Sequence, residues 1–235
     1  MADSQARHWW YEGRRRILQS VLRHISLPDN PRIIEVGCGT GANLAMLKNF
    51  GSVVGIEPNP FGRGHATKIS GCDIRDGALP DNIPFKETYN LVCAFDVVEH
   101  IGDDTGSLET LYGLTAPGGY ALFTVPAWMF LWSQHDVINH HKRRYTRPAF
   151  VKLLRDSGYD VIFDSYYNFW LFPLIALIRL TKNILKMKDS PDMTTPPMGF
   201  MNMLLTSVFA SEQYILRKTS LPFGVSIIAL CRKST

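Results

Sequence analysis

Short apolar runs alternate with amphipathic segments along most of the chain. The apolar runs cover residues 32–36, 52–57, 68–73, 89–95, 120–125, 160–166 and 223–231, and their length is typical of buried strands. Residues 42–50, 105–114 and 147–157 have the character of helices. Because strands alternate with helices, we predict an α/β fold with a parallel sheet that helices cover on both faces.

Two segments depart from this rhythm. The first, residues 1–30, contains the basic and aromatic stretch HWWYEGRRR and predicts an N-terminal helical cap with a helix over residues 7–25. The second, residues 168–218, is an insertion before the last strand. Its apolar part, 169–178, precedes Arg179, Lys182 and Lys186 at helical spacing, and its second half is Met-rich. Residues 31–167 and 219–235 then form the α/β domain.

The insertion has the composition of an interfacial helical hairpin. Its apolar side would enter one leaflet of a membrane, while its basic residues would meet anionic headgroups. A substrate lid, a dimer interface or a cap packed on the core would have a similar composition. The membrane interpretation is our expectation, and the alternatives stay open.

Composition narrows the class of protein. Apolar residues make up 46% and charged residues 20% of the 235 residues, which supports a sizeable core and argues against long disorder. The four cysteines show no metal-ligand spacing, and we expect reduced thiols. The first residues lack the apolar stretch of a secretory signal, and no run reaches the ~18 apolar residues of a spanning helix. We therefore expect a cytoplasmic protein, peripheral or monotopic at the membrane.

A glycine turn follows the first strand in the segment RIIEVGCGTG. Alternate glycines let the backbone approach a ligand, and the helix that follows points its free N–H groups at it. Gly37, Gly39 and Ala42 also fit the dinucleotide pattern, so a nucleotide cofactor such as NAD is an alternative. However, Glu35 would repel a pyrophosphate. It suits S-adenosylmethionine (SAM), which carries an ammonium and a sulfonium.

The successive segments EVGCGTG, GIEPN, CDI, FDVVEHI and LTAPGGYALFTVPA resemble the motifs of class I SAM-dependent methyltransferases, of the type 11/12-like kind, over about residues 30–166. The resemblance implies a Rossmann-like, doubly wound sheet of seven mostly parallel strands, and SAM as the cofactor. Carried over by motif, Glu35, Gly37, Gly39 and Gly41 hold the methionine part, Glu57 the ribose, Asp73 and Ile74 the adenine, and Phe95 and Asp96 the sulfonium region. Arg14 and His100 complete the expected cofactor contacts.

Two further segments carry candidate chemistry. The DVVEH segment is similar to a motif of ubiquinone-pathway O-methyltransferases, some of which bind a divalent metal there. Asp96 stands where Glu is typical, so we expect no metal, with Asp96, Glu99 and His100 as the only candidates.

The second segment, residues 128–147, follows the fifth strand and is expected to be an acceptor-site lid. Candidate catalytic residues are Asp96, His135, His140 and His141, and Arg143, Arg144 and Tyr145 could bind an anion.

The expected function is SAM-dependent methyl transfer to an oxygen of a hydrophobic or lipid-linked acceptor at the membrane surface. A loose resemblance to bacterial methyltransferases of envelope lipid or polysaccharide pathways favours this acceptor class. Two alternatives remain: a soluble methyltransferase of a small natural product, and a SAM-binding regulatory protein without turnover. The Asn/Asp-Pro-Pro-aromatic motif of many nucleic-acid methylases is lacking, so no nucleic-acid partner is expected. The oligomeric state is left open.

Overall fold

The computed structural model describes residues 8–185, 199–216 and 218–235. They contain a seven-stranded sheet of order β3-β2-β1-β4-β5-β7-β6, in which β7 runs antiparallel to its neighbours and the other pairs are parallel. The strands are β1 Arg32–Val36, β2 Ser52–Ile56, β3 Asp73–Arg75, β4 Tyr89–Phe95, β5 Thr115–Pro126, β6 Asp160–Tyr167 and β7 Ser226–Arg232. The expected Rossmann-like, mostly parallel sheet is therefore confirmed.

Helices cover both faces of this sheet. They are α1 Trp9–Leu22, α2 Leu44–Leu47, α3 Pro60–Ser70, α4 Asp104–Leu114, α5 Gln134–Ile138, α6 Arg147–Asp156, α7 Phe172–Ile184, α8 Gly199–Ala210 and α9 Glu212–Leu216. One buried cluster joins the sheet to α1, α2 and α8, and a second joins its other face to α4 and α6. Two apolar layers therefore hold the sheet between them.

The prediction of a strand at residues 68–73 is wrong. Helix α3 runs to Ser70, and β3 begins only at Asp73. The Pro- and Gly-containing stretch after β2 starts a helix because Pro60 takes its first position, where the missing N–H costs nothing. The side chain of Asn59 caps it by accepting hydrogen bonds from the N–H groups of Phe61 and Gly62. Gly71 then ends it in the left-handed conformation.

The insertion contains helices that pack against different parts of the protein. Its second helix, α8, packs along α1, where Gly13 allows the ring of Phe209 to approach so closely that a Cβ would overlap it. Trp9 donates its backbone N–H to Asn202 Oδ1 at 2.8 Å. The first helix, α7, lies against the turn at Met129–Leu131. Residues 1–7 of the cap and 186–198 of the insertion, with Lys186, lie outside the described residues, as does Arg217.

A buried carboxylate fixes the start of the insertion. Glu212 accepts hydrogen bonds from the backbone N–H groups of Asn168, Phe169 and Trp170 at 2.7, 2.7 and 3.1 Å. Burial raises the pKa of Glu212 to about 7, although these three donors oppose the shift. Within the described ranges, no helix is long and apolar enough to cross a membrane.

Candidate active site

The glycine turn lies at the carboxyl end of β1, where the crevice of such sheets lies. Gly37, Gly39 and Gly41 have φ values of +71°, +56° and +87°, a region that residues with a Cβ seldom adopt. The N–H groups of Gly37 and Cys38 both donate to the carbonyl of Ile56 on β2, which holds the turn against the neighbouring strand. A Cβ on Gly39 would meet no protein atom within 4 Å, so this residue borders open space.

Glu35 lies buried beneath this turn. Its Oε1 accepts a hydrogen bond from Asn43 Nδ2 at 2.7 Å, while its Oε2 has no partner among the described residues. Burial raises the pKa of Glu35 to about 7, and the Asn43 hydrogen bond and the charge of Arg14 oppose that shift. A cationic ligand group beside Oε2 would favour the ionised carboxylate.

Glu57 immediately follows β2 and is nearly buried. Its carboxylate accepts from the N–H groups of Gly39 at 2.7 Å and Asn59 at 2.9 Å. The carboxylate therefore lies directly beside the glycine turn, at the edge where a nucleoside sugar is expected.

The expected adenine residues lie on β3. Ile74 is buried and its side chain points toward Gly55, whereas Asp73 is exposed and pairs with Arg75 at 2.7 Å. The backbone N–H of Glu57 donates to the carbonyl of Arg75 at the end of β3. Asp76, the residue directly after β3, therefore lies level with Glu57 across the sheet. Sequence reasoning missed Asp76, although it is the carboxylate directly after the strand.

Asp96 follows β4 with a φ of +55°. Its carboxylate forms an ion pair with Arg14 of α1 and accepts a hydrogen bond from Thr124 Oγ1 at 3.0 Å. Burial alone would lower the pKa of Arg14, but the charge of Asp96 raises it on balance. Phe95, the preceding residue, is buried in the core cluster under α1. The cap and the end of β4 are thus joined at the crevice.

A second cluster lies beside the DVVEH segment. One ligand atom from each of Glu99, His100 and His141 lies within 4.8 Å of the others, a set able to hold a divalent ion. Glu99 is fully buried, and no other described residue donates a hydrogen bond to its carboxyl oxygens. Burial and then the charge of Asp96 raise the pKa of Glu99 well above its usual range. Asp96 itself is occupied by Arg14 and does not belong to this set.

The segment of residues 128–147, predicted to be a lid and called the lid below, is organised by a buried aspartate. Asp136 accepts from Arg144 Nε at 2.8 Å and Nη2 at 3.0 Å, and from His141 Nδ1 at 2.8 Å. Burial alone would raise the pKa of Asp136, but these partners hold it well below its usual range. Sequence reasoning gave Asp136 no role, although the Ser133–Asp136 spacing is that of a capping box. Arg144 is therefore not available to an anion.

The three histidines of the lid differ in burial and in the groups that they contact. The ring of His141 meets that of His100 edge-on, with centroids 4.6 Å apart. His135 has its pKa lowered to about 4 by burial and then by the charge of Arg179. His140 is exposed on a turn with a φ of +56°. Only His141 is held by a carboxylate and faces the DVVEH segment.

A family model for a methyltransferase domain matches residues 6–162, which is more than half of the chain. The chain belongs to the class I SAM-dependent methyltransferase family. The ubiquinone biosynthesis O-methyltransferase of Shewanella sp. strain ANA-3 is 21% identical over 172 residues, which cover 65% of this methyltransferase and 72% of that protein.

Solved structures share the fold of this methyltransferase. A complex between the Haloferax volcanii Trm112 methyltransferase activator and a methyltransferase matches with a TM-score of 0.61 and 16% identity, over 97% of this chain and 90% of that one. Haemonchus contortus phosphoethanolamine N-methyltransferase 2, in complex with SAM, matches with a TM-score of 0.61 and 14% identity. The match covers 93% of this chain and 52% of that one. At these identities the likeness shows the fold alone.

The residues around the glycine turn fit SAM. Three buried polar atoms there lack partners among the described residues: Arg14 Nε, Glu35 Oε2 and Asn43 Oδ1. Buried polar groups are normally satisfied, so this set is suited to a ligand with both acceptors and donors. The carboxylate and ammonium of a methionine group supply them. SAM is the cofactor of the family, and this side of the crevice has complementary groups.

Proposed function

We propose that this methyltransferase transfers the methyl group of SAM to an oxygen of a hydrophobic or lipid-linked acceptor at a membrane surface. The proposal rests chiefly on one observation. The insertion helix α7 exposes a row of large apolar side chains and lies directly against the lid. Leu174, Leu177, Ile178, Leu180 and Ile184 are between 40% and 78% exposed. Monomeric soluble proteins rarely expose contiguous apolar patches of this kind without a binding role.

Hydrogen bonds tie α7 to the lid. Arg179 Nη1 donates to the carbonyl of Leu131 at 3.1 Å, and Asn183 Nδ2 donates to that of Trp132 at 2.7 Å. An acceptor embedded in a lipid surface under α7 would therefore lie next to the segment that carries His141.

For the cofactor, we propose that Glu35 and Arg14 bind the amino-acid part and Glu57 the ribose hydroxyls. Asp73 or Asp76 would bind the adenine amino group. SAM, when bound, supplies an electrophilic methyl group, and the protein positions the acceptor in line with it. Asp96 would stay paired with Arg14 and help to orient the cap over the cofactor.

For the acceptor, we propose His141 as the general base. Its Nδ1 is held by Asp136, which leaves Nε2 to take the proton of an acceptor hydroxyl as the C–O bond forms and the bond between the methyl group and sulfur breaks. We propose that no metal takes part. Of the three residues that could hold an ion, His141 serves as the base, and Asp96, the further candidate of the DVVEH segment, is engaged by Arg14 and Thr124. A rate that is the same before and after EDTA treatment is expected.

The soluble natural-product alternative has one observation in its favour. Phe209 of the insertion is fully buried against Trp10 and Tyr167, with ring centroids 5.3 and 6.0 Å away. One face of α8 is thus a packing element, as a lid or a cap would be.

Co-sedimentation with vesicles of phosphatidylglycerol and phosphatidylcholine separates these proposals. Each buried Leu or Ile side chain contributes about 1.5–3 kcal/mol, so the double variant Leu177→Ser/Ile184→Ser should bind at least ~100-fold more weakly. Ile69→Ser on α3, at a residue 56% exposed, is the matched control and should pellet like the wild type. If the wild type stays in the supernatant at low salt, the soluble alternative holds.

Turnover is tested by extracting tritium from [methyl-³H]SAM into organic solvent after incubation with membranes. Radiolabelled lipid is the expected result. Tight SAM binding without label in any fraction would favour the regulatory alternative.

A further inference from the structure

A row of aromatic side chains connects the lid to the start of the insertion. Ring contacts link Trp128 to Phe130 at 5.9 Å, Phe130 to Phe172 at 6.4 Å and Phe172 to Phe223 at 5.3 Å. They continue from Phe223 to Phe169 at 4.5 Å and from Phe169 to Trp170 at 5.0 Å. We call these six residues the aromatic strip. None of the six is buried, and Phe130 and Trp170 are 50% and 47% exposed.

The inner end of the strip is fixed at the reaction edge of the sheet. Trp128 is two residues beyond the carboxyl end of β5 and has a φ of +62°, which is unusual for a bulky residue. Its N–H donates to the carbonyl of Tyr145 at 2.8 Å, and its indole Nε1 donates to that of Gly224 at 3.0 Å. Its ring stacks on Tyr166 with centroids 4.9 Å apart. Backbone strain that the fold holds in place clusters at functional sites, so Trp128 is a candidate ligand contact.

The middle of the strip is continuous with the apolar face of α7. Phe172 is the first residue of α7, and Leu174 and Leu177, 54% and 64% exposed, follow on the same helix. The strip therefore leads from the surface proposed to meet lipid to the loop after β5. A linear apolar ligand has the shape that matches a single file of rings that begins at this loop and passes along this surface.

We propose that the aromatic strip binds the hydrocarbon chain of the acceptor, so that the chain leaves the bilayer and its polar head reaches the reaction centre. This inference rests on the proposed function, because it takes the acceptor to be an amphiphile. It deepens that function by assigning the chain to a protein surface and by making chain length a determinant of specificity.

The test uses alkyl maltosides with chains of eight, ten and twelve carbons as probes, each below its micelle concentration, with affinity measured by calorimetry. The wild type should bind more tightly as the chain lengthens, by up to about fourfold for each additional buried methylene. Phe130→Ser and Trp170→Ser should lose at least ~10-fold in affinity for the longest probe, and Phe130→Leu should keep most of it. Ile69→Ser on α3, 56% exposed and outside both the strip and α7, is the matched control and should bind the probes like the wild type. Ile184→Ser, on α7 but outside the strip, tests whether the rest of the apolar face of α7 binds the probes as well.

Three results would overturn the inference. The first is equal probe binding by Phe130→Ser and the wild type. The second is an equal loss in Ile184→Ser, which would mean that the whole apolar face acts as a bilayer contact. The third is a wild type that sediments as a dimer without probe while Phe130→Ser is a monomer, which would make the strip an interface between two copies. Vesicle binding is scored separately, so a protein that binds the probes but no vesicles would refute the membrane proposal and not this one.

Discussion

Two glycines with similar positive φ angles allow the proposed cofactor site to be tested with a matched control. Gly39 in the turn has a φ of +56°, and Gly71 at the end of α3 has a φ of +68°. A Cβ added at either position would meet no protein atom within 4 Å. Gly39→Ala and Gly71→Ala should therefore cost about the same, roughly 1–2 kcal/mol each, because an L-residue is strained in this region.

Of the two glycines, only Gly39 borders the crevice that we propose binds the cofactor. In a protein of this size the strain lowers Tm by roughly 2–4 °C per kcal/mol, so both variants should stay folded at 25 °C. In Gly39→Ala the methyl group would stand where the backbone approaches the ligand, next to the N–H that contacts Glu57. We expect the Kd for S-adenosylhomocysteine (SAH) to rise at least ~10-fold, which corresponds to about 1.4 kcal/mol.

Thermal unfolding and calorimetry with SAH, run on both variants, give the two readouts. Equal losses of Tm together with weaker SAH binding in Gly39→Ala alone are the expected pattern. Wild-type affinity in Gly39→Ala would refute the assignment of the turn. An equal loss of affinity in Gly71→Ala would mean that the effect is on stability.

The remaining predictions concern the other carboxylates and the lid. Asp73→Ala and Asp76→Ala should each be titrated with SAH, and at least one should lose about 10-fold or more in affinity, because the adenine amino group needs an acceptor. His141→Gln should lower kcat by roughly 10²–10⁴-fold for a hydroxyl acceptor while SAH binding is unchanged, and His140→Gln should leave kcat as it is. Asp136→Asn should lose about 3–5 kcal/mol of unfolding free energy at pH 7, because its arginine partner stays buried without a counter-charge. Since the folded protein lowers the pKa of Asp136, this stabilisation is complete above the ordinary value of 3.8 and declines below it, so urea unfolding should show the two proteins converging in acid.

The parts of the site that depend on local sequence could be predicted. The turn after β1 has glycines at alternate positions, where its φ values are positive, and Glu57 directly follows a strand that its apolar run marks. The mostly parallel sheet was likewise predicted from the alternation of apolar strands with helices along the sequence. The boundary between α3 and β3 could not be obtained this way, because Asn59, Pro60 and Gly71 form caps that look like loop residues in the sequence.

Contacts between segments that are distant in the sequence could not be predicted from it. Arg14 and Asp96 are 82 residues apart, and their pairing depends on how α1 crosses the sheet. The approach of His141 to Glu99 and His100 depends on the fold of the lid around Asp136. The split of the insertion between α1 and the lid likewise follows from Gly13, whose missing side chain admits Phe209.

Calorimetric titration with SAH and, in parallel, with NAD is the most direct test of the central claim, that the crevice above β1 and β2 binds SAM and its demethylated product. We predict one SAH site per chain, with an affinity that falls in Glu57→Ala, and no heat with NAD. Saturable NAD binding, or SAH binding that is the same in Glu57→Ala as in the wild type, would contradict it.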